Sequence, residues 1–90
     1  MEEQHGFIFT FEGHDFKLRK SSIYECWVDG KFEFGFSNRI NFFGHLYEKM
    51  LRISFGKYGY AQVNSVLKIY HQADLKLNQF LYLYGEISSE

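Results

Sequence analysis

Proline is absent from the 90 residues, although average usage of about 5% would supply several. Slow prolyl isomerisation is thereby excluded as a folding step, and nothing about function follows. Cysteine is nearly absent. A lone Cys26 excludes an intramolecular disulfide framework and a cysteine-rich zinc site, and it suits a reducing compartment. No apolar run approaches the roughly 18 residues of a membrane-spanning helix. The opening Met-Glu-Glu-Gln-His is acidic and polar, unlike a secretory leader. Charge of one sign is lacking too. Ten Lys and Arg against eleven Asp and Glu leave a net charge of −1 and a pI near 6.4. A strongly basic nucleic-acid binder and a strongly acidic DNA mimic are both excluded, so electrostatic recognition must come from a local patch. The expectation is a cytoplasmic protein with no membrane partner.

What is present is aromatic. Eleven Phe, seven Tyr and one Trp make 21% of the chain. Such rings fill small cores and also the centres of interfaces. Hydrophobic residues at 46% and charged residues at 23% are the balance of a folded domain. Ninety residues form one domain with a single core, and Met1 to Gln4 and Ser88 to Glu90 are expected to fray.

The first half reads as two hairpins. Phe7, Phe9 and Phe11 alternate with Ile8, Thr10 and Glu12, and Phe16 and Leu18 alternate with Lys17 and Arg19. A loop from Glu12 to Asp15 would set Phe11 opposite Phe16 and Phe9 opposite Leu18, with every Phe and Leu on one face. In the second hairpin, Asp29-Gly30 favours a type I′ turn. Pairing outward sets Trp27 opposite Phe32, Glu25 opposite Phe34 and Ile23 opposite Phe36. These form one aromatic face, and Tyr24, Cys26, Val28, Lys31 and Glu33 form the other.

The period then changes to three and four. An amphipathic helix is expected from Asn38 to Ser54, capped by Ser37 or Asn38 and ended by Gly56. A glycine- and tyrosine-rich loop follows. A second helix is expected from about Ala61 to Ala73, with Val63, Val66, Leu67 and Tyr70 inward. Leu77, Phe80, Leu81 and Tyr84 continue the helical stripe, but the β-rich run at Gln79–Tyr84 favours a last strand from Phe80 to Ile87. The fold class is α+β: an antiparallel sheet of four or five strands, two N-terminal hairpins among them, with two helices packed on its aromatic face.

No constellation assembles into catalytic or metal chemistry. His5, His14, His45 and His71 lack metal-ligand spacing. Cys26 sits mid-strand without a cysteine-enzyme signature. Neither Glu12 with Asp15 nor Glu25 with Glu33 offers a pair of acids across a cleft. Gly56-Lys57-Tyr58-Gly59 is not a phosphate loop. No cofactor is expected, and no enzymatic activity.

Two binding surfaces remain. Tyr58-Gly59-Tyr60-Ala61-Gln62-Val63 resembles the latter part of the ribonucleoprotein-1 motif of RNA-recognition-motif domains, and Ile8-Phe9 could play its partner motif. The resemblance covers six residues. It departs from the family in Lys57 following Gly56, in Val63 at the final aromatic position, and in the order of elements. It implies that Tyr58 and Tyr60 stack on bases. The second surface is a basic patch of Lys17 and Arg19, with Lys31, on the open sheet face near Tyr24. Candidate partner-binding residues are therefore Tyr58, Tyr60, Lys57, Lys17, Arg19 and Tyr24. The leading expectation is a small protein-binding module, an inhibitor or adaptor. Small phage-encoded inhibitors of host enzymes or defence complexes belong to this class, and base rate alone suggests them. The alternative is single-stranded RNA or DNA binding through the tyrosine loop and the basic face. A homodimer is compatible with both.

Overall fold

The structure, a computed structural model, describes residues 6–58 and 63–85, with the side chains of these except 57, 58 and 63–65. Strands β1 (Phe7–Phe11), β2 (His14–Lys20), β3 (Tyr24–Val28) and β4 (Lys31–Phe36) precede helices α1 (Arg39–Tyr58) and α2 (Val63–Leu83). The strands form one antiparallel sheet in the order β1-β2-β3-β4, so the expected α+β class and antiparallel sheet with two N-terminal hairpins are present. The chain divides into two compact units, Met1–Phe42 and Phe43–Glu90.

In the first unit both hairpins close through two-residue turns with positive φ at both positions: Glu12 and Gly13 in one, Asp29 and Gly30 in the other. This is the type I′ arrangement, whose twist matches that of the strands. The four-residue loop expected at Glu12–Asp15 is thus corrected. Phe11 faces His14, Phe9 faces Phe16 and Phe7 faces Leu18. The pairing differs from expectation by two residues, and a shift of two preserves the faces because side chains alternate with period 2. Phe9, Phe11, Phe16 and Leu18 are all buried. The Phe9 ring stacks on Phe16 at 5.1 Å, and Phe11 meets Phe16 edge-on at 6.3 Å.

The two turns are tied together. The Asp29 carboxylate accepts the Asp15 N–H at 2.9 Å and hydrogen-bonds His14 Nδ1 at 2.7 Å. The Asp29 N–H donates to the Asp15 carbonyl at 2.8 Å. Asp29 therefore holds its own turn and also fixes the start of β2.

The second hairpin begins as expected, with Val28 opposite Lys31 and Trp27 opposite Phe32. A register shift between Cys26 and Trp27 then sets Cys26 opposite Phe34, Glu25 opposite Gly35 and Tyr24 opposite Phe36. The extra residue in β4 is Glu33, which is exposed. This β-bulge overturns the expected aromatic face. A one-residue offset exchanges the faces of everything beyond it. Tyr24, Cys26 and Val28 are buried, on the face shared with Phe16 and Leu18 through the β2–β3 register. The first turn of α1 reaches the same cluster, since Phe42 is fully buried against Tyr24 at 5.6 Å and Phe34 at 5.7 Å.

Helix α1 starts where its cap predicts. Asn38 Oδ1 accepts the N–H groups of Ile40 and Asn41 at 2.7 and 3.1 Å, satisfying two donors that the helix leaves orphaned. Gly56 does not end it, and the helix runs on to Tyr58.

In the second unit, Leu46, Met50 and Ser54 form the buried stripe of α1. Helix α2 is continuous from Val63 to Leu83, so the strand expected from Phe80 is not formed over residues 80–83. Ile69, Ala73, Leu77, Phe80 and Leu81 are buried, at steps of four, four, three and one that only a helix aligns. This packing overrides the β propensity of Phe80–Tyr84. Gly85 closes the helix in the left-handed region, its N–H donating to the Tyr82 carbonyl at 3.1 Å. The inward set also moves: Leu67 and Tyr70 are exposed and Ile69 is buried. Tyr70 nevertheless joins the helices, meeting Phe43 at 5.3 Å and Tyr47 at 5.4 Å.

Candidate recognition face on the sheet

The face of the sheet opposite Phe16 and Leu18 carries one unbroken cross-strand row. Ile8 pairs with Lys17, Lys17 with Trp27, and Trp27 with Phe32, one residue from each strand. The ends of the row are apolar and open to solvent, with Ile8 67% and Phe32 51% exposed. Its middle is a cation on an indole. Lys17 Nζ lies over the Trp27 ring, 5.4 Å from the centroid, a favourable cation–π geometry. Phe32 meets Trp27 edge-on at 5.7 Å. The bulge builds this arrangement, because it leaves Phe32 with Trp27 while turning Phe34 and Phe36 to the other side.

A second row runs beside it, from Arg19 to Glu25 to Gly35. Glu25 is engaged locally. Its carboxylate accepts Trp27 Nε1–H at 3.0 Å and the Ser21 hydroxyl at 3.4 Å, which locks the indole. Arg19 lies directly opposite Glu25 on β2. Its Nε is buried and takes no hydrogen-bond partner from the protein. A buried donor left unpaired costs about 1–3 kcal/mol, and a guanidinium satisfies planar carboxylates two bonds at a time.

Two glycines admit these side chains. At Gly6 a β-carbon would fall 2.4 Å from Lys17 Cγ and 3.1 Å from Arg19 Cγ, so the stems of both cations lie across bare backbone. At Gly35 it would fall 2.6 Å from Ile23 Cδ1 and 3.3 Å from Phe32 Cζ.

Of the residues expected to bind, Lys17 and Arg19 come together on this face. Tyr24 does not. It is buried on the opposite side against Phe42, with Lys20 Nζ 5.1 Å from its ring centroid. Lys31 pairs with Val28, outside the row. Lys57 and Tyr58 form the end of α1, and their side chains, like Tyr60 as a whole, lie outside the described residues. The backbone of Tyr58 is helical, whereas the ribonucleoprotein motif places its stacking residues on a sheet strand. Sequence reasoning does not find Trp27 and Phe32 as surface residues. Their side follows from the pairing of Trp27 with Lys17, and no residue type in β4 announces the bulge that takes Phe34 and Phe36 off that side. Among the described residues no group of three His, Cys, Asp or Glu could hold a metal ion, and no helix is long and apolar enough to cross a membrane. Cys26 is fully buried.

No protein-family model, curated protein or solved structure matches the chain.

Proposed function

We propose that the protein is a non-catalytic protein-binding module, of inhibitor or adaptor type, whose contact surface is the open face of the sheet. The observation that carries this reading is the row Ile8–Lys17–Trp27–Phe32 beside Arg19. Exposed Ile8 and Phe32 offer apolar area, and Trp, Phe and Arg are the residue types on which interface energy concentrates. The Arg19 guanidinium favours a carboxylate on the partner, because Glu25 is already bonded to Trp27 and Ser21. A reducing cytoplasm suits the single buried thiol of Cys26.

Single-stranded nucleic acid fits less well. Stacking needs an open ring face, but Lys17 covers Trp27 and Phe32 meets it edge-on. The Glu25 carboxylate beside the indole would also repel phosphate.

The test is affinity capture from host lysate with nuclease present, using wild-type protein, Arg19→Glu and Phe32→Ala. A stoichiometric protein partner should survive nuclease, and each variant should weaken its binding by about tenfold or more. The Arg19 effect should shrink as salt rises. Equal binding by all three proteins would sink the reading. Recovery of RNA or DNA that depends on Lys17 and Arg19 would replace it with the nucleic-acid one.

A further inference from the structure

Among the described residues the sheet has two edges, β1 and β4, and they differ in their protection. Strand β4 carries the bulge, Lys31 and Glu33, the devices by which natural sheets discourage strand addition. Strand β1 has none of them. Its five residues, Phe-Ile-Phe-Thr-Phe, are uncharged, and its ladder with β2 is regular throughout.

The turn geometry fixes which backbone groups of β1 are spent. In a two-residue hairpin the pair flanking the turn exchanges both backbone hydrogen bonds, and hydrogen-bonded pairs then alternate with non-bonded ones. Phe11 with His14 is the flanking pair, so Phe11, Phe9 and Phe7 bond to β2. Ile8 and Thr10 direct their N–H and C=O groups to the outer edge. Both side chains are exposed.

We propose that β1 pairs antiparallel with β1 of a second copy, across a twofold axis at Phe9, joining two sheets into one. The occupant follows from the strand itself. Reversed, Phe-Ile-Phe-Thr-Phe again presents Phe at its first, third and fifth positions. Antiparallel self-pairing therefore sets Phe7 against the partner's Phe11 and Phe9 against the partner's Phe9. Ile8 and the partner's Thr10 exchange the outward hydrogen bonds. Every Phe stays on the face of Phe16 and Leu18, as period-2 alternation requires, and no charge meets a like charge at the seam. An isologous contact of this kind closes on itself, leaving only the guarded β4 edges outermost. The inference does not depend on the docking reading above, since it uses the edge of the sheet and needs no foreign partner.

Equilibrium sedimentation of the whole chain tests it. Wild-type protein should reach twice the 10.8 kDa chain mass with rising concentration. The variant carrying both Ile8→Lys and Thr10→Lys should raise the dissociation constant at least about tenfold, because lysines then face each other across the seam. A second variant guards against misfolding by the first. With Ile8→Cys and Thr10→Cys together, each new thiol faces its counterpart about 5.5 Å away between α-carbons, within disulfide range. Mild oxidation should give a covalent dimer, and Ile8→Cys alone should not. A monomer at every concentration, or a dimer indifferent to the lysines, would overturn the proposal. So would efficient cross-linking by Ile8→Cys alone, which would move the axis off Phe9.

Discussion

The two hairpins of the sheet share a turn type and differ in one residue. Each closes on a pair of positive-φ residues ending in glycine. The β1–β2 ladder is regular, and all its aromatic rings lie on one face. The β3–β4 ladder has Glu33 in excess, so its rings divide: Phe34 packs on Phe42, and Phe32 packs on Trp27 across the sheet. A regular hairpin puts its alternating hydrophobics into one core. A bulged hairpin supplies a core and a surface from the same run of alternating residues. The open face keeps Phe32 without Phe34 and Phe36 because the second hairpin is irregular.

The largest effect is expected where the bulge hands a ring to the core. Phe42→Ala removes the fully buried ring on which Tyr24 and Phe34 pack and should cost about 3–5 kcal/mol, read from urea denaturation. Deleting Glu33 should break the contrast itself. It leaves Cys26 opposite Phe34, Glu25 opposite Gly35 and Tyr24 opposite Phe36 in a regular ladder, so the faces should be kept and the cost should be clearly smaller than for Phe42→Ala. Glu33→Ala keeps the residue count and alters only an exposed side chain, so it should change stability by less than about 1 kcal/mol. A deletion as costly as Phe42→Ala would mean that the faces depend on more than the count of residues in β4.

What is legible in the sequence divides along the same line. Phe7 to Leu18 yield the right faces from a wrong loop, because a two-residue error leaves alternation intact. The loop is hard to place because Glu12 is a rare occupant of the left-handed position. Asp29-Gly30 announces its turn and the pairs next to it. Beyond Trp27, alternation alone runs straight through a point where β4 gains a residue, and Phe34 and Phe36 change sides to join Tyr24 and Cys26. Lys17 and Arg19 are legible because they sit on the regular hairpin. Trp27 and Phe32 are not, because alternation groups them with Phe34 and Phe36 in one aromatic core face, and the bulge takes those two away. The end of α2 fails differently. Leu77, Phe80 and Leu81 carry the helical period, but local β propensity competes there with a stripe reaching back to Ile69, and the stripe wins.

A middle-sized effect is expected at Gly35, in the bulged hairpin. A methyl there would meet Ile23 Cδ1 at 2.6 Å, and at 3.3 Å both the Phe32 ring and the Tyr24 carbonyl oxygen. Ile23 can rotate away. The backbone oxygen cannot, and the ring is held against Trp27. Gly35→Ala should therefore cost about 1–2 kcal/mol, the range for overpacking. The same substitution should shift the tryptophan fluorescence of Trp27. Unchanged stability and spectrum would mean that Phe32 is not seated over the glycine.

The smallest stability effect is expected at Gly6, the counterpart on the regular hairpin. A methyl would come closer to its neighbours here, 2.4 Å from Lys17 Cγ and 3.1 Å from Arg19 Cγ. Both neighbours, however, are side-chain atoms, which a change of χ1 can clear while the backbone stays in place. Gly6→Ala should thus cost less than Gly35→Ala, about 0.5–1 kcal/mol, as displaced rotamers do. Its consequence should be felt in recognition instead. Displacing Lys17 lifts its ammonium from the Trp27 ring, and displacing Arg19 shifts the second cation of the face. Partner binding should weaken severalfold in a variant close to wild type in stability, while Gly35→Ala would lose stability and binding together. Separating the two readouts at Gly6 would show that the regular hairpin positions the charges without depending on them to fold. Loss of stability at Gly6 equal to that at Gly35 would mean that the cationic stems are core packing in both hairpins alike.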